Sequence, residues 1–178
     1  MTEVFLTEAL AEFVQKALGA QAVGTRKRST QLPQGSLFTP SLADKAQDGP
    51  AAEEEIVSQV QVYGGFLPPK TAEDGDLPFV YIRPVSGKVE AGKTTVEVVI
   101  TVGVYAQDMK GYLDALNVYR RISSALTSLK SNRLADKYER ATELTWNWAQ
   151  EQNNPYWGVD ITTTWYIYTD RPLGEEFI

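Results

Sequence analysis

A chain of 178 residues with 43% hydrophobic and 22% charged side chains has the size and balance of one globular domain, long enough to remove roughly 70% of its unfolded surface from water. It contains neither cysteine nor histidine, so disulfides, thiolate nucleophiles, imidazole bases and nitrogen or sulfur metal ligands are excluded together. The net charge is −6, and Lys and Arg outnumber Asp and Glu only between residues 91 and 140. A surface built to grip phosphates carries a concentrated positive face, so direct DNA binding is disfavoured.

The N-terminus has no basic start and carries Glu3, Glu8 and Glu12, so it does not read as a signal peptide, and no apolar run approaches membrane-spanning length. The expectation is a protein without a membrane partner. From Thr2 to Leu18 the apolar residues Phe5, Leu6, Ala9, Leu10, Phe13, Val14, Ala17 and Leu18 follow helical spacing, with Thr2 placed to cap the start and Gly19 the end. Residues 20–55 are rich in Thr, Ser, Gln, Pro, Gly and charge, with Pro33, Pro40 and Pro50 and no period. They read as a long arm or insertion within the single 1–178 domain.

Ile56 to Tyr63 reads as a strand, followed by a loop through Pro68 and Pro69 and an acidic turn at Glu73, Asp74 and Asp76. Phe79-Val80-Tyr81-Ile82 is apolar on both faces and reads as a central strand closed by Pro84 and Gly87. From Thr94 to Val104 nearly every residue is β-branched, with Val96, Val98, Ile100, Val102 and Val104 on one face. This predicts a long strand paired with its predecessor as a hairpin. Tyr112, Ala115, Leu116, Tyr119, Ile122, Leu126 and Leu129 form a helical stripe. Leu144, Trp146 and Trp148, then Val159, Ile161, Thr163, Trp165 and Ile167, alternate on two further strands around Asn153-Asn154-Pro155, giving a hairpin over Glu143 to Thr169. The order helix, strand, hairpin, helix, hairpin predicts an α+β fold: a mainly antiparallel sheet with two helices packed on one face, plus the long arm.

The sharpest motif is Gly87-Lys88-Val89-Glu90-Ala91-Gly92-Lys93-Thr94, which matches the phosphate-loop pattern letter for letter. Such a loop works because its backbone N–H groups and a following helix N-terminus converge on phosphates. Here Lys93-Thr94 opens a β-branched stretch, so the dipole is missing and the nucleotide reading fails on context. Ser86 with Lys88 or Lys93 has the composition of a Ser-Lys dyad, but an exposed hairpin does not desolvate a lysine into a base. Glu73, Asp74 and Asp76 lack the continuation of a calcium loop and read as a solvated turn. No catalytic, cofactor-binding or metal-binding residue is assigned, and the chain is expected to be no enzyme.

The closing hairpin is crowded with aromatics, most of which belong in a core. Tyr166 and Tyr168 lie opposite Trp165 and Ile167 on their strand, so they are candidates for contact with another subunit. Arg26, Lys27 and Arg28 are a second candidate contact, set against the simpler reading of an exposed charge run.

Three blocks then carry a resemblance: Gly65-Phe66-Leu67-Pro68-Pro69-Lys70, Leu77-Pro78-Phe79-Val80-Tyr81-Ile82-Arg83-Pro84, and Val98-Val99-Ile100-Thr101-Val102-Gly103-Val104-Tyr105. They are continued by Gly111 to Ile122, by Leu144-Thr145-Trp146, by Pro155-Tyr156-Trp157-Gly158 and by Thr163-Thr164-Trp165. Together they resemble phage tail terminator and tail completion proteins, especially those of Gram-positive phages and prophages, over roughly Val60 to Pro172. The resemblance implies a hexameric ring that caps the tail tube, stops its polymerisation and joins the tail to the head connector. Its implied partners are copies of itself, the tail tube protein and a connector or stopper protein, with genomic DNA only as cargo in the lumen. It implies no catalysis and no cofactor, and a place at the head-tail junction of the virion after assembly in the host cytoplasm. A head-closure or other connector component, and a nucleotide-binding enzyme, are the competing readings.

Overall fold

Strict alternation fixes the centre of the molecule. In the computed structural model, which describes residues 2–19, 22–26, 55–65, 78–106, 111–148 and 155–168, the two long central strands are β5 (Lys93–Tyr105) and β8 (Tyr156–Tyr168). They run antiparallel, with Ile100 opposite Ile161 and Val96 opposite Trp165. Val96, Val98, Ile100, Val102 and Val104 of β5 and Val159, Ile161, Thr163, Trp165 and Ile167 of β8 are all buried. One face of the pair is therefore a continuous apolar floor, each aliphatic or aromatic side chain contributing about 1.5–3 kcal/mol.

Around this pair the sheet has the order β3-β4-β5-β8-β7-β6, with β3 (Gln61–Gly64), β4 (Phe79–Glu90), β6 (Arg133–Leu134) and β7 (Tyr138–Trp148). All neighbours are antiparallel except β3 and β4, which are parallel. Helices α1 (Thr2–Leu18) and α2 (Gly111–Thr127) pack on the apolar face and touch each other. The fold is thus the α+β arrangement that the chain's periodicities predict. Leu6, Leu10, Val14 and Leu18 of α1 and Ala115, Val118, Ile122 and Leu126 of α2 close the core. At the end of α1, Gly19 takes φ +64° and its N–H reaches the Gln15 carbonyl at 3.0 Å, as a left-handed cap requires.

Several boundaries differ from expectation. Pro84 and Gly87 do not end a strand: β4 continues to Glu90, with a bulge between Pro84 and Ser86. The reason lies in hydrogen-bond direction. The Ile82 carbonyl accepts from the Gly65 N–H on the β3 side, so by the two-residue repeat Pro84's nitrogen points the same way. There β3 has ended, and the missing N–H removes no ladder bond. Ile56 to Tyr63 is two strands in two sheets, divided at buried Val60. β2 (Glu55–Gln59) pairs with β1 (Ala22–Arg26), a strand inside the stretch read as aperiodic; residues 27–54 lie outside the described residues. The α2 stripe is rotated so that Val118 is buried and Tyr112 is 40% exposed. On α1, Phe5 is 55% exposed rather than in the core.

The phosphate-loop match forms the β4–β5 hairpin, with Gly92 at φ +75° and Lys93 starting β5. No helix follows it, and the contextual requirement is unmet.

Helix α2 starts against β8 with no room to spare. The Trp157 indole donates from Nε1 to the Ala106 carbonyl at 3.1 Å, which pins its ring over Gly111. A Cβ at Gly111 would overlap that pinned ring and the Ala106 methyl. A Cβ at Gly103 would stand 2.5 Å from Phe79 Cε1, on the rim of a half-buried hydrocarbon ring that, unlike the Trp157 indole, has no hydrogen bond to pin it. Overpacking costs about 1–3 kcal/mol, against a helix-propensity gain of at most about 1 kcal/mol for Ala over Gly. Gly111→Ala is therefore expected to lower the unfolding free energy by about 1–2 kcal/mol, while Gly103→Ala stays within about 1 kcal/mol of the parent. Urea denaturation of both variants checks the ranking.

Candidate functional site

The sheet face opposite the helices is formed by the alternate residues of the same strands. At its centre Thr101 Oγ1 donates to Asp160 Oδ1 at 2.6 Å, and Ser86 Oγ donates to Glu97 Oε2 at 2.8 Å. Tyr105 and Tyr156 meet edge to face at 5.4 Å. Tyr166 and Tyr168 lie on this face, as alternation predicts: Lys93 Nζ sits 3.8 Å from the Tyr166 ring centroid, and Tyr168 is 49% exposed. A cation over an aromatic ring is an attractive arrangement that leaves Tyr166 partly covered within its own subunit. Arg26 closes β1 opposite Glu55 in the backbone register. Its side chain, together with Lys27, Arg28, Glu73, Asp74 and Asp76, lies outside the described residues.

The Ser-Lys composition of the hairpin has no catalytic geometry. Lys88 Nζ is 2.7 Å from Glu90 Oε1. The hydrogen bond to Glu90, and then its charge, raises the Lys88 pKa, whereas a lysine base requires the opposite. Among the described residues no three acidic side chains gather in the manner of a metal site, and no described helix is long and apolar enough to cross a membrane.

What the structure adds lies at the sheet's margins. β3 covers β4 only from Phe79 to Ile82, and β6 covers β7 only at Tyr138 and Glu139. Among the described residues, the outer edges of β4 from Arg83 and of β7 from Arg140 have no strand neighbour. The second edge is shaped by a residue that alternation did not single out. Arg140 is 3% exposed; its Nη1 donates to the carbonyls of Ala141 and Thr142 at 2.8 and 3.3 Å, and its Nη2 to Asn132 Oδ1 at 3.1 Å. These carbonyls belong to an irregularity in which the β7–β8 register jumps between Arg140 and Leu144. A buried guanidinium thus satisfies acceptors that the broken ladder releases, while its Nε finds no partner among the described residues. Burial lowers the Arg140 pKa. Nearby, the 3-10 turn Lys130–Asn132 and the β6–β7 turn place Ser131, Asn132, Ala135 and Asp136 at positive φ without a glycine, a conformation that Asn and Asp tolerate better than other side chains.

A cleft of about 720 Å³ opens beside that turn, between Phe5 of α1, Tyr138 of β7 and Ile167 and Tyr168 of β8. Against Tyr119, midway along α2, aromatic side chains are half-covered: Tyr119 and Trp146 lie 5.1 Å apart, Trp146 and Trp148 6.2 Å, and Trp146 is 41% exposed.

No family model matches the chain, and no curated protein matches it. Solved structures do. A chain of the virion of a native gene transfer agent particle is 16% identical over 61% of this chain and 78% of its own, with a TM-score of 0.38. The core region of PilO from the type IV pilus system of Pseudomonas aeruginosa is 14% identical over 52% of this chain and 79% of its own, with a TM-score of 0.27. At TM-scores below 0.5 these superpositions do not establish a common fold.

The cleft carries a titration that can be measured. Tyr138 is 7% exposed; burial, and secondarily the charge of Glu8, raises its pKa. The unfolded phenol ionises near pH 10, so this contribution is complete below about pH 10 and is lost as pH rises through the higher folded value. Tyr138→Phe is expected to lessen the loss of unfolding free energy between pH 9 and pH 11. Urea midpoints across that range, compared with the parent, check it, and identical slopes would contradict it.

Proposed function

We propose that this chain is a structural subunit of a long-tailed bacteriophage virion, a tail terminator that assembles into a closed ring, expected to be hexameric. In this reading the ring caps the tail tube, halts its growth and presents the finished tail to the head connector. One observation carries the proposal. Four of the blocks that resemble tail terminators, Leu77 to Pro84, Val98 to Tyr105, Gly111 to Ile122 and Pro155 to Gly158, are far apart in the chain yet meet at one end of the sheet: Phe79 lies against Gly103, Tyr105 stands edge-on to Tyr156, and Trp157 sits on Gly111 and bonds Ala106. Motifs that converge into one packed unit are more than a chance string of weak matches.

The margins of the sheet support the same reading. A β-edge at Arg83 to Glu90 and another at Arg140 to Trp148 lie on opposite sides of the subunit. Contacts between two different surfaces of identical subunits are heterologous, and they generate a closed ring when the rotation closes. Such edges also take added strands from neighbours. Tyr168, exposed on the face away from the helices, stands as a candidate contact with the next subunit or the tube.

A tube of stacked rings presents the same surface after each addition, so only a different ring can end it. Deleting the gene from its phage is expected to leave DNA-filled heads without tails and free tubes of irregular, excessive length in electron micrographs of the lysate. Unattached tails of uniform, normal length would overturn this reading in favour of a stopper or other connector component.

A further inference from the structure

The outline of the six-stranded sheet is stepped. A line across it at Val80 passes through Val62, Val80, Val102, Val159 and Trp148, on strands β3, β4, β5, β8 and β7. A line at Val89 passes through Val89, Thr94, Ile167, Tyr138 and Leu134, on β4, β5, β8, β7 and β6. Both levels are five strands wide, but the second is displaced sideways by one strand. Between them, at Pro84, the line continues among the described residues only through Val98, Thr163 and Leu144. Both sheet irregularities, Pro84 to Ser86 and Arg140 to Leu144, adjoin that narrower level.

A second copy placed beside the first, with its helices on the same face, fills both steps. Its β3 comes level with the free part of β7, and its β4 beyond Arg83 comes level with β6. Strand direction reverses three times from β4 to β7, and β3 runs parallel to β4. For copies related by rotation about an axis along the strands, β7 therefore meets the next β3 antiparallel. The backbone groups needed for a ladder are in place. The Ala106 N–H bonds the Pro155 carbonyl, and the Gly65 N–H bonds the Ile82 carbonyl. By the two-residue repeat, Trp146 and Trp148 of β7, and Val62 and Gly64 of β3, turn their N–H and C=O groups out of the subunit. Trp146 then stands opposite Gly64 of the next copy and Trp148 opposite its Val62, all on the helix side of the sheet.

The side chains at these margins suit such a neighbour. Trp146 is 41% exposed, and the glycine opposite it has no side chain to displace the indole. Val89, 78% exposed, comes beside the buried Leu134 of the adjoining copy. At the narrower level, Arg83 of one copy faces Glu143 of the other. Both are exposed, and among the described residues neither has an ion-pair partner in its own subunit. Arg133 and Lys88 also meet there, but each already holds a carboxylate, Glu139 at 3.6 Å and Glu90 at 2.7 Å. We propose that Trp146 to Trp148 of β7 pairs antiparallel with β3 of a second copy of this chain, so that the sheet continues from one subunit into the next. The inference rests on the ring reading above and names the margins that close the ring; the capping of a tube is not used.

The absence of native cysteine allows a direct test in the full-length chain. In this register Asn147 and Tyr63 of the next copy stand opposite each other on the open face, with Cα atoms about 4.5 Å apart, a separation that a disulfide bridges. Within one subunit the same two residues lie on opposite margins of the sheet, so only an interchain bond can form. Under mild oxidation Asn147→Cys, Tyr63→Cys is expected to give a ladder of linked chains at least tenfold faster than Asn147→Cys, Lys88→Cys, which tests the far part of β4 in place of β3. Equal rates overturn the proposal, and so does equally fast dimer formation by Asn147→Cys alone, which assigns β7 to pairing with itself. Hydrogen exchange tests the unmodified chain. The Val62, Gly64, Trp146 and Trp148 amides are expected to slow at least tenfold between dilute monomer and assembled protein. Unchanged exchange in a sample that light scattering shows to be assembled overturns the pairing, as does a chain that stays monomeric at every concentration. The two readings fail separately: a chain that cross-links as expected but leaves tube lengths unchanged contradicts capping alone, and one that shortens tubes without these cross-links contradicts the pairing alone.

Discussion

Strands β5 and β8 stay in a single antiparallel register along their whole length, from Lys93 opposite Tyr168 to Tyr105 opposite Tyr156, with no bulge. Because side chains alternate across a sheet, a slip of β8 by one residue would turn Val159, Ile161 and Trp165 out of the core and bring Asp160 into it. Every other placement follows from this register. It gives α1 and α2 one apolar surface to cover, and it aligns the start of β8 with the end of β5, where Trp157 receives Gly111 and orients α2. The buried Thr163 keeps its hydroxyl satisfied at the Val98 carbonyl, 3.2 Å away, and accepts from Trp165 Nε1 at 2.9 Å, so even the polar residue in this floor binds the two strands together.

The outer strands show the opposite behaviour. β4 carries a bulge at Pro84 to Ser86 and β7 an irregularity from Arg140 to Leu144. Both occur where, among the described residues, a strand has no neighbour on its far side. A regular ladder is held by partners on both edges; an edge strand can bend, and here each bend is accommodated locally, by a proline whose nitrogen points past the end of β3 and by a buried guanidinium that binds released carbonyls. In the assembly we propose, these margins and the exposed face bearing Tyr168 are what neighbouring subunits meet, while the β5–β8 floor keeps each subunit rigid.

The same physics explains what could be read in the sequence. β5, β8 and both helices were legible because long runs of period two or 3.6 leave a signal that tertiary context reinforces. The second half of β4 was hidden, since Pro84 and Gly87 end most strands and only the position of β3 makes them harmless. The first half of β7 was hidden because a charged Arg140 sits at a core position, and β1 because five residues, Ala22 to Arg26, pair with a partner beyond a long intervening stretch. Of the candidate contacts, Tyr166 and Tyr168 followed from alternation alone. The exposure of Phe5, Val89 and Trp146 did not, because it depends on where the helices end over the sheet.

The central claim is that this chain ends the growth of a tube by covering its last ring. The most direct measurement adds the purified chain to polymerising tube subunits of the same phage, at ratios below one ring per tube, and records tube lengths by electron microscopy. The account predicts that mean length falls as the ratio rises, with density for an added ring at one end of each shortened tube. Length distributions that do not change with the ratio, with tube ends identical to those formed without the chain, would contradict it.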